Sequence, residues 1–218
     1  MTIEALIADD HAIIRDGLRK LLADTPDLRV SGEAADGNAL LDLIRQRHWD
    51  ILLLDLSMPG RNGLELIRLV HTEQPKLPIL IFSMHPEEQY AVRAIRAGAS
   101  GYLTKGSSTD QILPVIRKVA GGAMFISPKV AELLATDFIR GPDDVPHTRL
   151  TDREFEIFSR IVHGCSPAEI AAELSLSAKT VSSHKSHILE KMGLSTQIDL
   201  LRYAIVHGLL DPAYEQGS

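Results

Sequence analysis

The sequence predicts an α/β protein in two parts: a five-stranded, doubly wound parallel sheet with helices on both faces, then an all-α domain of four helices. Two observations carry this. Short apolar runs alternate with helix-period segments five times before about Gly122, the pattern of a parallel sheet whose strands are joined by helices. Beyond that point the strand signal disappears, and helix start and stop signals follow one another. At 218 residues the chain is long enough for two modest domains, and 44% hydrophobic with 24% charged residues is an ordinary globular composition.

Taken in order, Ile3 to Ala8 (IEALIA) reads as a short apolar strand, after which Ile14, Leu18, Leu21 and Leu22 recur at helical spacing. Leu28 to Ala34 is strand-like, and Asp36 to Gln46 is helical with Leu40, Leu43 and Ile44 together. Ile51 to Asp55 (ILLLD) sets four large apolar residues before a carboxylate, which suits a strand buried on both faces. Gly63 to Thr72 is a helix, Pro78 to Ser83 (PILIFS) the fourth strand, Glu87 to Ala97 a helix, and Gly101 to Leu103 a short fifth strand. Ser108, with Gln111 three residues on, has the capping-box pattern that opens a last helix. These elements assign residues 1–122 to the first domain.

Pro128 to Phe138 fits one amphipathic helix, and Gly141 to Thr148 (GPDDVPHT) is polar and turn-rich, so 123–147 reads as a partly helical linker. Thr151-Asp-Arg-Glu154 and Ser166-Pro-Ala-Glu169 are capping boxes, the second with Pro167 at the first helical position. Gly164 and Gly193 fall where helix C-caps belong. The second domain is thus expected over 148–212, followed by a tail at 213–218.

Composition narrows the function classes. No apolar run approaches the roughly 20 residues of a membrane span, and MTIEAL lacks the basic start of a secretory signal. The single cysteine, Cys165, leaves no internal disulfide framework and fits a reducing cytoplasm. A net charge of −6 argues against wholesale coating of nucleic acid but allows a small basic surface. From Arg149 onward seven Lys/Arg stand against nine Asp/Glu, yet around the helix Ser177 to Met192 Lys179, Lys185 and Lys191 face only Glu190.

The chemistry gathers at the carboxyl ends of the strands, where open α/β sheets bind their ligands. The first strand ends at Asp9-Asp10, the third at Asp55, the fourth at Ser83, and the fifth runs into Thr104-Lys105. Three carboxylates this close repel unless a cation lies among them, and carboxylate oxygens with room for water are what Mg²⁺ prefers. A hydroxyl and an ammonium opposite could neutralise phosphoryl oxygens. This spaced set resembles the receiver domain of bacterial two-component response regulators, a flavodoxin/CheY-like fold, over residues 1–122. The resemblance implies that Asp55 is the phospho-acceptor. It implies that Asp10 and Asp55 bind Mg²⁺ with the main-chain carbonyl of Ser57, and that Asp9 acts through a water. Lys105 would pair with the phosphoryl group, Ser83 would move to bind it, and Tyr102 would be the aromatic that changes rotamer with it. Gly106 stands where many receivers have a proline after the lysine.

In SAKTVSSHKSHILEKM (177–192), Val181, Ile188 and Met192 share one helix face, with Lys179, Ser182, Ser183 and Ser186 broadly opposite. A polar-faced helix after a short capped helix and a tight turn is a helix-turn-helix candidate. The stretch from Leu150 to Leu194 resembles the LuxR-type helix-turn-helix, through its Leu-Thr-x-Arg-Glu start, Glu169-Ile170-Ala171, Thr180-Val181 and Ile188-Leu189-x-Lys191-Met192-Gly193. With the receiver in front, the architecture is that of the NarL/FixJ class of response regulator. The resemblance implies that Ser182, Ser183 and Ser186 read bases, with Lys179, Thr180, His184 and Lys185 also at the DNA. Lys185 lies nearer the core face, so its head is expected to snorkel to a phosphate. Ile198, Leu201, Ile205 and Leu209 form an apolar stripe, expected to be partly core and partly a dimer surface.

The expectation is a cytoplasmic, phosphorylation-switched transcription regulator with Mg²⁺ as cofactor. Its partners would be a sensor histidine kinase, double-stranded DNA, a second copy of the chain and RNA polymerase, with no membrane. No enzyme activity is expected beyond Mg²⁺-dependent self-phosphorylation and autodephosphorylation at Asp55. Three other readings stay open: an aspartyl-phosphate phosphohydrolase, a phosphorylation-independent regulator, and an adaptor that has lost DNA binding. The first lacks its usual second carboxylate, since Ser57 occupies that position.

Overall fold

The computed structural model describes residues 2–59, 63–140 and 145–210, with the side chains of 136–140 left aside. The chain divides into two units, Met1–Leu133 and Leu134–Ser218.

The first unit holds β1 (Ile3–Ala8), β2 (Leu28–Ala34), β3 (Ile51–Leu54), β4 (Ile79–Ser83) and β5 (Gly101–Thr104) in one parallel sheet ordered β2-β1-β3-β4-β5. Between them run α1 (Ala12–Ala23), α2 (Gly37–Gln46), α3 (Gly63–Glu73) and α4 (Glu87–Ala97), and α5 (Thr109–Ala120) closes the unit. Alternate strand residues feed opposite faces. Ala5, Ile7, Ile51, Leu53, Leu80 and Phe82 pack with Leu18 and Leu22 of α1 and Ile112, Ile116 and Val119 of α5. Leu6, Leu52, Leu54, Ile79 and Ile81, pointing the other way, are also fully buried, which explains why β3 and β4 read as unbroken apolar runs.

Register positions the site. Ala8 is opposite Leu54, so the next residues, Asp9 and Asp55, leave the sheet side by side, and the Asp55 N–H donates to the Ala8 carbonyl at 2.8 Å. Ser83 pairs with Thr104, which brings Lys105 to the same edge. The chain turns in opposite directions from β1 and β3, and the crevice between such strands is where doubly wound sheets bind ligands.

Two features depart from expectation. Ser108 is the N-cap of α5, but its side chain makes no capping bond; the Gln111 N–H instead takes the Ser108 main-chain carbonyl at 2.9 Å. The first unit also runs beyond residue 122. The Phe125 N–H donates to the Ser100 carbonyl at 2.9 Å, and the Ser127 hydroxyl donates to Glu87 Oε1 at 2.9 Å while accepting from the Val130 N–H. α6 (Pro128–Arg140) starts there, two residues longer than its sequence pattern.

In the second unit a 3₁₀ turn (Pro146–Arg149) precedes α7 (Asp152–Val162), α8 (Pro167–Glu173), α9 (Ala178–Met192) and α10 (Gln197–Val206). Both expected capping boxes form, and a third joins Thr196 and Asp199. Phe155, Phe158, Ile170, Val181, Ile188, Leu200 and Ala204 make the core. Gly193 caps α9 in the left-handed region at φ 65°, where a β-carbon would be strained.

Candidate acidic site and helix-turn-helix

At the carboxyl edge of the sheet, Lys105 Nζ lies 2.6 Å from Asp9 Oδ2 and 2.8 Å from Asp55 Oδ2, with all three side chains no more than 2% exposed. Burial alone would lower the Lys105 pKa; hydrogen bonds and charge from Asp55 and Asp9 outweigh it and raise the value, holding the ammonium charged. His11, at the N-cap position of α1, makes no side-chain capping bond, and its N–H donates to Asp9 Oδ1 at 2.9 Å. Arg15 Nη1 donates to the Asp9 carbonyl at 2.6 Å, fixing the backbone at this bend.

Asp9, Asp10, His11 and Asp55 each offer a ligand atom, all within 4.8 Å of one another. One ammonium against three carboxylates leaves the cluster net negative, so its oxygens fit a divalent cation. Ser57 donates its N–H to Asp55 Oδ1 at 3.2 Å, and its hydroxyl meets His85 Nε2 at 2.9 Å. Ser83 is fully buried, its Oγ 3.4 Å from the His85 N–H. Tyr102 points inward, 2% exposed, and donates to the His85 carbonyl at 2.9 Å; burial, with Tyr90 adding, pushes its hydroxyl pKa well up. The fold thus brings Asp9, Asp10, Asp55, Ser57, Ser83, Tyr102 and Lys105 to one edge. Sequence reasoning missed His11 and His85. Each stands one or two residues beyond a singled-out side chain, but only the turn geometry aims its ring back.

In the second unit α8 and α9 form the expected helix-turn-helix. Ser177 caps α9 by accepting from the Thr180 N–H at 3.0 Å. Lys179, Ser182, Ser183 and Ser186 are exposed on one face, while Thr180, His184 and Lys185 are half-buried. Each serine donates to the carbonyl one turn back: Ser182 to Ala178, Ser183 to Lys179 and Ser186 to Ser182. Burial, the largest influence, lowers the His184 pKa. Lys185 Nζ lies 2.7 Å from Gln197 Oε1 at the start of α10, in a solvent-exposed hydrogen bond. Lys191 likewise donates to Glu154 Oε2 at 2.7 Å, tying α9 to the first turn of α7. The apolar stripe is part core and part surface. Leu209 is buried, but Ile198, Leu201 and Ile205 are 68%, 40% and 62% exposed, and Leu200 and Ala204 fill the core instead.

Comparison with known proteins agrees with both units. Residues 5–117 match the response regulator receiver domain, and residues 148–204 match the bacterial regulatory proteins of the luxR family. The response regulator GacA of Pseudomonas aeruginosa is 35% identical over 97% of this chain and 99% of its own. The oxygen regulatory protein NreC of Staphylococcus carnosus is 36% identical over 96% of this chain and all of its own. Among solved structures, RcsB of Salmonella enterica serovar Typhimurium, bound to promoter rprA with the phosphomimetic BeF₃⁻, is 29% identical over 93% of this chain and 98% of its own, with a TM-score of 0.65. A LuxR-family two-component response regulator from Aurantimonas sp. SI85-9A1 is 35% identical over 64% of this chain and 99% of its own, with a TM-score of 0.58. The chain belongs to the two-component response regulators, in the NarL/FixJ class that joins a receiver to a LuxR-type helix-turn-helix domain.

Proposed function

We propose that this protein is a transcription regulator switched by phosphorylation. A sensor histidine kinase donates a phosphoryl group to Asp55, and the chain then binds paired half-sites on double-stranded DNA as a homodimer, in the cytoplasm and within reach of RNA polymerase. The observation that carries the reading is the buried Asp55 side chain at the sheet's switch point, hydrogen-bonded to Lys105 and flanked by Asp9 and Asp10.

In the transfer, a carboxylate oxygen of Asp55 attacks phosphorus, an acyl phosphate bond forms, and the kinase's phosphohistidine N–P bond breaks. Asp10 and Asp55, with the Ser57 main-chain carbonyl and with Asp9 through a water, would hold Mg²⁺, which when bound offsets negative charge between carboxylates and phosphoryl oxygens. Lys105 supplies a fixed ammonium to the same oxygens, and Ser83 a buried hydroxyl. Moving Ser83 toward them alters the corner where His85 and Tyr102 are bonded, which makes the turn before α4 the element the new charge biases. The chain performs no catalysis beyond self-phosphorylation and autodephosphorylation at Asp55.

DNA binding draws support from the likeness to RcsB in its promoter complex and from the exposed polar face of α9. Intact mass after incubation with Mg²⁺ and a small phosphoryl donor tests the acceptor: one phosphoryl is expected on the wild type and none on Asp55→Asn. Addition to both would move the acceptor elsewhere. Fluorescence anisotropy with promoter DNA, with and without BeF₃⁻, then tests whether modification raises affinity; affinity independent of BeF₃⁻ would sink the switch.

A further inference from the structure

The outer face of α9 carries three exposed serine hydroxyls, Ser182, Ser183 and Ser186, and the hydrogen bonds of the helix fix what each does with its proton. Ser182 Oγ donates to the Ala178 carbonyl at 2.9 Å, Ser183 Oγ to the Lys179 carbonyl at 3.1 Å, and Ser186 Oγ to the Ser182 carbonyl at 3.2 Å. A carbonyl oxygen can only accept, so the direction of all three bonds follows. A serine hydroxyl has one proton and two lone pairs. With the proton turned back along the helix, what faces outward is acceptor capacity alone. Lys179 adds an ammonium at the start of the same face.

We infer that α9 reads amino-bearing base edges: Ser182, Ser183 and Ser186 select adenine or cytosine over guanine or thymine on the strand each faces. The inference rests on the reading of α9 as the helix that enters the major groove. There adenine and cytosine present the amino donors N6 and N4, whereas guanine and thymine present the carbonyl oxygens O6 and O4. Serine in general suits either kind of edge. Here an amino group meets a waiting lone pair, and every bond inside the helix is kept. A keto oxygen meets lone pair against lone pair unless the hydroxyl turns outward, which breaks its bond to the helix carbonyl. The net worth of one hydrogen bond separates the two cases, about twofold to tenfold in affinity per position. Ser182 and Ser186 are one turn apart, about 6 Å along the helix axis. At a duplex step of about 3.4 Å, the three hydroxyls cover about two or three base pairs. The target is therefore a half-site with A or C on the faced strand at adjacent positions, rather than the guanine edges that a helix lined with arginine or lysine selects.

The test uses the full-length protein with Mg²⁺ and BeF₃⁻, as wild type, Ser182→Ala, Ser183→Ala and Ser186→Ala, with folding checked by circular dichroism. Selection from random duplexes gives the half-site, and a position whose base preference changes in one variant is the position that serine faces. The wild type should enrich adenine or cytosine there, and the alanine variant should admit thymine, whose methyl group alanine contacts. Purine in place of adenine, or 2-pyrimidinone in place of cytosine, removes the amino group alone. Fluorescence anisotropy should show this deletion weakening wild-type binding about twofold to tenfold and leaving the matching alanine variant nearly unaffected. Comparing both proteins on the same duplexes cancels any change in duplex stability. Guanine or thymine enriched opposite the serines would overturn the inference. So would variants that select the wild-type site unchanged, or equal sensitivity of wild type and variant to the missing amino group. If no sequence is enriched, the DNA-binding reading fails and the inference with it, whereas sites with keto edges overturn the inference alone.

Discussion

Replacing Lys105 by methionine tests the charge arrangement of the acidic site directly. The substitution keeps the aliphatic stem but removes an ammonium held 2.6 Å from Asp9 and 2.8 Å from Asp55, with every partner essentially inaccessible to water. At an effective dielectric constant of about 20, each of those attractions is roughly 6 kcal/mol before desolvation is subtracted. Removing one partner of a buried pair typically costs about 3–5 kcal/mol, because the remaining charges are left buried and uncompensated. Here two carboxylates are abandoned together, so the loss should fall in that range in metal-free buffer.

Trp49 gives a clean readout. It is the only tryptophan in the chain and lies buried in the first unit, so its emission during urea denaturation follows that unit alone. Adding Mg²⁺ should stabilise Lys105→Met more than the wild type, since three carboxylates without an ammonium bind a cation more tightly and stabilisation grows with affinity. A second substitution, Asp55→Asn, should recover part of the loss by removing one abandoned charge. A cost below about 1 kcal/mol, as for a solvent-exposed pair, would refute the reasoning, and so would equal stabilisation of both proteins by Mg²⁺.

Other consequences are equally open to measurement. A β-carbon at Gly32 would collide with the indole of Trp49 and touch Leu6, so Gly32→Ala should cost about 1–3 kcal/mol and shift Trp49 emission. Glu154 is buried; burial alone would raise its pKa, but bonds from Lys191 and Thr151 hold it below the usual carboxylate value. A depressed folded pKa means stability that is present above the unfolded value of 4.5 and is lost as pH falls through the folded one. Unfolding of the second unit followed by circular dichroism should therefore weaken on acidification below that value, and Glu154→Gln should flatten the dependence while costing about 1–2 kcal/mol at neutral pH. On DNA, Lys179→Ala should reduce the salt slope of binding by about one.

The sheet was legible because its strands are buried on both faces: Ile51 to Leu54 and Ile79 to Phe82 read as unbroken apolar runs for that reason alone. The acidic site was legible because parallel strands deliver their carboxyl ends to one edge, so Asp9, Asp55 and Lys105 could be grouped from strand boundaries without coordinates. Side-chain direction beyond a strand end was not. His11 and His85 are brought back by turn geometry that has no periodicity to read. Nor could size alone orient α10, where the large residues Leu201 and Ile205 face out and the small Ala204 faces in, allowing close helix approach. Ser108 fits a capping-box pattern, but the backbone satisfies the same N–H first.

The recognition helix shows why a count of charges misleads more than a count of apolar residues. Three lysines against one glutamate looked like a basic reading surface. Two of those ammonium groups have partners within the unit, Lys185 the neutral Gln197 in an exposed bond and the 40%-exposed Lys191 the carboxylate of Glu154, and the exposed serines donate to their own helix. What α9 presents outward is therefore Lys179, the Lys185 charge shared with a neutral amide, the helix N-terminus and hydroxyl lone pairs, still a weak electrostatic hold on phosphates. On the proposed function that weakness is useful. A single domain with few phosphate contacts binds DNA poorly, whereas two held together engage adjacent half-sites with the second step made intramolecular. Occupancy then depends steeply on assembly, so a phosphoryl group that shifts a monomer–dimer balance by a modest factor changes DNA binding by a larger one.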